Sequence, residues 1–464
     1  MAVASYEKQR VACGNRVVNR LLLDNNRLEK IRKVLQHQDR HLIKKGVNDM
    51  HILASLEYPW YQHQWLRDSS KGIINMIETA DFLSDFEMFD ALELKRTDLE
   101  KKLSMAINTL WKALYFFNQC VIKDEVRDIR DHNSKLGKNH VLARFDVSDG
   151  GEINLCEPDK DQPLSFRSWL MQYDSIPLTI IATMRFIDSF GDSKIGYCLD
   201  TARKILPWLV GYMQNYYNTP CADEWELYYN MGKINGIDVG NTIDSYSVAS
   251  IYSGIENAKR LSKFLGLDLP QGTDSKKVED FLLEYFIDDI SPSSGKVVCK
   301  SKIEHGELMR SLDSGAIDIF RIFKPPRLMN SQIEDNTILA IEKHLMDGSP
   351  LPIRFKFFDK HSYIKDTYFF GGNWFPNAEE YAMYKIAKGD MDKARQTLEF
   401  IESRIEDDGS IPEQTLIKPA SQGYDPEHYF ERNGNKMIRC LWWSETGYLG
   451  LVSAYMRKSI SLSK

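Results

Sequence analysis

"IPLTIIATMRFIDSF", residues Ile176–Phe190, sets Ile176, Ile180, Ile181, Met184 and Ile187 at the three-and-four spacing that lines up one stripe of an α-helix. Asp174 or Ser175, just before Pro177, marks its start: a short polar side chain can cap free N–H groups, and proline is tolerated in the first turn. The same stripe recurs in "SVASIYSGIENAKRLSKFLG", Ser247–Gly266, through Val248, Ile251, Ile255, Ala258 and Leu261. Helical periodicity also runs through Thr97–Gln119, Thr201–Tyr217, Ser275–Phe286, Asn336–Met346 and Asp390–Ile405, the last opening on Asp390 after Gly389. Alternating strand patterns are few and short, "GKVVCKSKI" (Gly295–Ile303) and "IRFKFF" (Ile353–Phe358), and no βαβ alternation appears. The pattern predicts an all-α body of about a dozen helices.

A chain of 464 residues can bury a large core. No Pro/Ser-rich linker divides it, so a single domain over 1–464 is expected. With 43% hydrophobic and 27% charged residues the composition is that of a soluble globular protein, and a net charge of −6 argues against a nucleic-acid partner while fitting a neutral one. The opening "MAVASYEKQR" has no apolar signal core, and no apolar run reaches membrane-spanning length, so a cytoplasmic chain without membrane contact is expected. Seven scattered cysteines form no C-x-x-C pair, and most are expected as buried thiols. Ten histidines include no H-E-x-x-H, and neither a GxGxxG fingerprint nor a P-loop is present, so no metal and no cofactor is expected.

The chemistry concentrates between the helices, in irregular stretches near 55–68, 140–174, 218–242, 288–330, 350–375 and 406–443. Loops of that length in a compact domain tend to be functional. In "YPWYQHQWLRDSS", Arg67 and Asp68 follow the aromatics Tyr58, Trp60, Tyr61 and Trp65. They read either as a salt-bridged pair at a helix start with Asp68 as N-cap, or as a polar clamp for hydroxyls in an aromatic pocket. "CADEWELYYN" places Asp223, Glu224 and Glu226 around Trp225. A carboxyl desolvated by an indole holds its proton near neutral pH, as a general acid must, although acids are also common at helix N-termini. Glu413 in "DDGSIPEQTL" is a second candidate or an exposed loop glutamate. Trp374, Trp442 and Trp443, in "TYFFGGNWF" and "LWWSETGY", serve equally as core or as a sugar platform. Together, two loop carboxylates, aromatic walls and an Arg–Asp pair suit glycoside hydrolysis: one acid protonates the leaving oxygen and one base activates water.

From about residue 55 onward the motifs resemble glycoside hydrolase family 15, the glucoamylase family. "YQHQWLRDSS" (61–70) is similar to its Y-x-x-x-W-x-R-D segment, and "ARFDV" (143–147) with "WLMQYD" (169–174) to its second loop. "DEWE" (223–226) resembles the segment bearing the acid, "GGNWFPNAEEYAMYKIAKGDMDKA" (371–394) the G-G-N-P-W segment with its helix, "IPEQ" (411–414) the segment bearing the base, and "LWWSETGYLGLV" (441–452) the closing motif. Six matches in order make the likeness specific.

The resemblance implies an (α/α)6 barrel, a six-hairpin toroid whose loops at one end form the sugar pocket. It implies an exo-acting, inverting α-glucoside hydrolase that releases glucose from non-reducing ends of α-linked oligosaccharides. Glu226 would be the general acid and Glu413 the general base, with Arg67 and Asp68 gripping terminal hydroxyls. Tyr61, Trp65, Trp169, Asp223, Trp225, Trp374 and Trp443 would line the pocket, and Arg354 would stand in for a family arginine. The family proline between Asn373 and Trp374 is absent and Leu227 replaces a second acid, so the leaving-group subsite departs from the family. A trehalase on the same scaffold and an inactive glucan-binding barrel are the alternatives. Residues 1–50 match nothing in the family, and "NRLLLDNNRLEKIRKVLQHQ" predicts a helix that packs on the barrel or on a partner. Oligomeric state is not legible.

Overall fold

The computed structural model describes residues 25–57, 62–86, 88–89, 92, 94–122, 141–155, 169–170, 172–192, 195–219, 221, 243–289, 295–299, 301–302, 310–353, 355–358, 373–415 and 439–462. Among them are twelve α-helices. They are α1 Asn25–Asp39, α2 Leu66–Asp85, α3 Arg96–Ile122, α4 Ser175–Phe190, α5 Gly196–Tyr216, α6 Ser245–Leu265, α7 Ser275–Phe286, α8 Ala316–Asp318, α9 Gln332–Ile341, α10 Phe375–Lys388, α11 Met391–Glu402 and α12 Trp442–Leu462. Helices α8 and α9 run on as π turns over Ile319–Phe323 and Glu342–Met346.

Local chemistry sets most of these boundaries. Asp174, one of the two starts the sequence offers, is the N-cap residue of α4 without a side-chain capping bond, and Gly191 ends the helix at φ 81°. Asp390 accepts from the Lys393 amide to start α11, and Asp244 does the same for α6 from Ser247. One expectation fails: Trp65, not Asp68, is the N-cap residue of α2, and Asp68 lies inside the first turn. The amino-terminal helix begins at Asn25 among the described residues and packs along α12, with Arg27 bridging to Glu402 of α11.

Burial separates two sets of helices. Every residue of Trp442–Ser453, Ser245–Ile255, Phe375–Tyr384 and Ser175–Met184 is buried, the mark of helices enclosed on all sides. Helix α11 instead buries one stripe, Ala394, Thr397, Leu398 and Ile401. The buried helices follow one another around a closed ring, α2, α4, α6, α8, α10, α12 and back to α2, while the others alternate with them along the chain. Two rings of six helices, one inside the other, make an all-α (α/α)6 toroid.

Close approach within the inner ring depends on glycine. A Cβ on Gly254 of α6 would stand 2.8 Å from the Pro177 Cα of α4, and one on Gly72 of α2 would overlap the Trp442 indole of α12 at its Nε1. The strands are two to four residues long and pair in twos and threes. Several lead directly into inner helices: Gln64–Trp65 into α2, Ile243–Asp244 into α6, Arg310–Asp313 towards α8 and Asn373–Trp374 into α10. The five cysteines among the described residues that carry free thiols are buried. No helix among the described residues is long and apolar enough to cross a membrane.

Candidate active site

Because each inner helix returns through an outer one, all six inner helices start at the same end of the toroid. Side-chain contacts stitch these starts together. Arg67 of α2 holds Asp174 at the start of α4, with Nε 2.5 Å and Nη2 3.4 Å from the two carboxylate oxygens. This two-point geometry is the strong form of such a pair. Asn377 of α10 donates to Ser314, ahead of α8, at 2.9 Å. Lys71 of α2 is the hub: its ammonium bonds Asp318 of α8 and sits 3.9 Å over the Trp443 ring of α12 and 5.4 Å from the Tyr246 ring of α6.

Asp68 stands between these pairs and keeps some exposure to solvent. Desolvation pushes its carboxyl from 3.8 to about 6; Asp174 adds to the rise, while Arg67 and Lys71 oppose it. Its position three residues into α2, beside the buried Arg67, puts at the end of the toroid where α2 starts a carboxyl that gives up its proton near pH 6. Asp68 therefore takes no capping role, and the Arg67 guanidinium is held by Asp174.

Glu413 is the predicted base that falls among the described residues. It occupies a bend and is partly exposed. Its carbonyl accepts from the Phe375 amide at 3.1 Å, and Gln414–Thr415 pairs antiparallel with Asn373–Trp374, setting Trp374 opposite Gln414. Two anchors therefore fix the Glu413 backbone at the start of α10, on the same mouth as Arg67 and Asp68.

The aromatic candidates divide. Trp65 is 4% exposed, opposite Arg144 in a short ladder, and the Arg144 guanidinium lies 5.7 Å from its ring. Trp374 and Trp443 are 5% and 6% exposed, and Lys71 covers one face of Trp443. These tryptophans are seated in packing rather than standing as open platforms. Trp442 is fully buried, in the core. The Trp169–Leu170 strand pairs with Val141–Leu142, so the 141–147 segment joins it to the Trp65 strand. Tyr58, Trp60, Tyr61, Asp223, Glu224, Trp225, Glu226 and Arg354 lie outside the described residues.

The sequence reading did not single out Lys71, Asp318, Tyr246 or Ser314. One signal was present for Lys71: it follows Arg67 by four residues, which puts both cations on one helical face. Asp318 and Ser314 carried none, because the three-residue helix that starts at Ala316 has no stripe to read.

No protein-family model matches the chain, and no curated protein sequence matches it. Solved structures do. A wild-type glycosidase superposes with a TM-score of 0.62 at 17% identity, over 92% of this chain and 98% of that one. Glucoamylase from Hormoconis resinae gives 0.56 at 14%, over 92% of this chain and 72% of that one. A Streptococcus pneumoniae member of a family of metal-independent α-mannosidases, solved with α-1,6-mannobiose, gives 0.56 at 13%, over 96% and 97%. At these identities the likeness establishes the toroidal fold.

Proposed function

We propose that this protein is a glycoside hydrolase, an exo-acting inverting enzyme that removes glucose from the non-reducing end of α-linked gluco-oligosaccharides. The observation that carries the proposal is Glu413, a partly exposed residue whose backbone is paired to the start of α10, at the end of the toroid where α2 also begins with Arg67 and Asp68. Toroids of this shape include the glycosidase and the glucoamylase above, and a variant of the glycosidase was solved in complex with glucose.

In the proposed reaction Glu413 removes a proton from water as the water attacks the anomeric carbon, and Glu226 protonates the departing glycosidic oxygen. Inversion requires room for that water, which sets the two carboxyls roughly 6.5–9.5 Å apart. Arg67, steadied by Asp174, and Asp68 present donor and acceptor groups to the sugar hydroxyls, and the tryptophan walls exclude bulk water.

Turnover should be assayed on maltose, isomaltose, longer α-1,6 oligosaccharides and trehalose, with proton NMR on the first product formed. The expected product is β-glucose. Glu413→Gln and Glu226→Gln should each lower kcat by about 10²–10⁴-fold with KM little changed, because the lost interaction belongs to the transition state. Release of α-glucose, or a Glu413→Gln enzyme with near-normal kcat, would overturn the assignment.

A further inference from the structure

A second cluster lies at the same end of the toroid, where the C-terminal end of α1 meets the first turn of α12. His37 is on α1, His41 follows just beyond its end, and Glu445 is on α12; their side chains are 1%, 0% and 0% exposed. His37 Nδ1 stands 2.8 Å from one Glu445 oxygen and His41 Nε2 stands 3.5 Å from the other. One donor atom from each residue falls within 4.8 Å of both the others. Close as they are, these two ring nitrogens and both Glu445 oxygens have no hydrogen-bond partner among the described residues. The atoms are near one another without lying on an N–H···O line.

A buried carboxylate with neither oxygen bonded is costly, and a shared cation relieves it. Two ligands of one zinc ion, each at about 2.0–2.2 Å, are separated by roughly 2.9–3.5 Å over right-angled to tetrahedral geometry. Both observed nitrogen–oxygen spacings lie in or beside that window.

The surroundings also orient the rings as ligands. His41 Nδ1 is 2.7 Å from the Leu53 carbonyl, and donation there leaves the lone pair on Nε2, the atom facing Glu445. On the far side of the other ring, His37 Nε2 faces the Asp408 carboxylate at 3.5 Å. A carbonyl behind one histidine and a carboxylate behind the other is the usual outer support of a metal-binding imidazole pair.

We infer that His37 Nδ1, His41 Nε2 and the Glu445 carboxylate form a site for one divalent transition-metal ion of the zinc class, with Asp408 supporting His37 from behind. Two imidazoles disfavour magnesium and calcium, which take oxygen ligands. A search for H-E-x-x-H passes over this set because its carboxylate comes from the other end of the chain, so the sequence-based expectation of no metal is revised here. The ion would pin α1 to α12. It would also brace the Asp408–Ser410 turn, whose Gly409 packs on the α1 backbone at Lys33 and which leads into Glu413.

The test is metal binding by the full chain, and its readout does not depend on sugar turnover. Protein stripped with a chelator should take up one Zn²⁺ per chain in calorimetric titration, undiminished by excess Mg²⁺ or Ca²⁺, and Co²⁺ should give the visible bands of a low-coordinate centre. His41→Ala should abolish both signals. Asp408→Asn alters a side chain that is 54% exposed, so it should fold normally and bind roughly 10–100-fold more weakly. The inference fails if the stripped, folded chain takes up neither ion, or if Mg²⁺ competes on equal terms. It also fails if Asp408→Asn binds as the wild type does; should His41→Ala not fold, that variant decides alone.

Discussion

Asp68 shows what a desolvated carboxylate costs. Its folded value of about 6 lies above the ordinary 3.8, so the fold favours its protonated form. Stability tied to that form is fully present below about pH 4 and is lost as pH rises through about 6. An ionised Asp68 at pH 7.5 therefore weakens the fold by about 3 kcal/mol. Asp68→Asn, neutral and nearly isosteric, should raise Tm by several degrees at pH 7.5 and leave it unchanged at pH 3.5, while raising KM for the sugar. Scanning calorimetry at the two pH values checks the sign; a gain that persists at pH 3.5 contradicts it. Arg67 and Asp68 were legible because they follow Trp65 in a compact motif. Lys71 was not singled out, since a lysine in a helix is ordinarily a solvated charge, and only the partners from α6, α8 and α12 make it the hub.

Helices whose large apolar residues line up at helical spacing were readable even where every face is buried, and those without such a stripe were not. The stripes of α4 and α6 are plain in the sequence, as are the helix start at Asp174 and the cap at Asp390. Helix α12 sets apolar residues, glycines, serines and the one acid Glu445 together in a stretch that inner and outer neighbours enclose, so periodicity has nothing to contrast. Helix α8 fell inside a stretch expected to be irregular, being one α turn continued by a π turn. Between elements the decisive contacts are glycines. Gly254→Ala should destabilise the fold by about 1–3 kcal/mol, because the new methyl meets the Pro177 backbone of α4, which cannot swing aside. Gly196→Ala, at the start of α5 with nothing within 4 Å of the added methyl, is the control and should shift stability by less than about 0.5 kcal/mol. Urea unfolding of both variants tests the contrast; equal losses would mean that the inner-ring contact is looser than drawn.

At the scale of the molecule, helicity and helix number followed from periodicity, whereas the toroid itself came from the resemblance. No spacing along a sequence announces that its second helix must lie against its last. The amino-terminal segment, which resembles nothing in that family, turns out to supply α1, an outer helix beside α12. Closure of α2 on α12 has a consequence in time. The apolar flank of α2, Leu66–Asp85, leaves the ribosome long before Trp442–Leu462, the helix that covers it, has been made. Partial chains ending before Cys440 should therefore collect as aggregates, which sedimentation of chains stopped on either side of α12 would reveal. Refolding of the whole chain should be slow, gated by one late meeting between distant helices rather than by the fast local pairs.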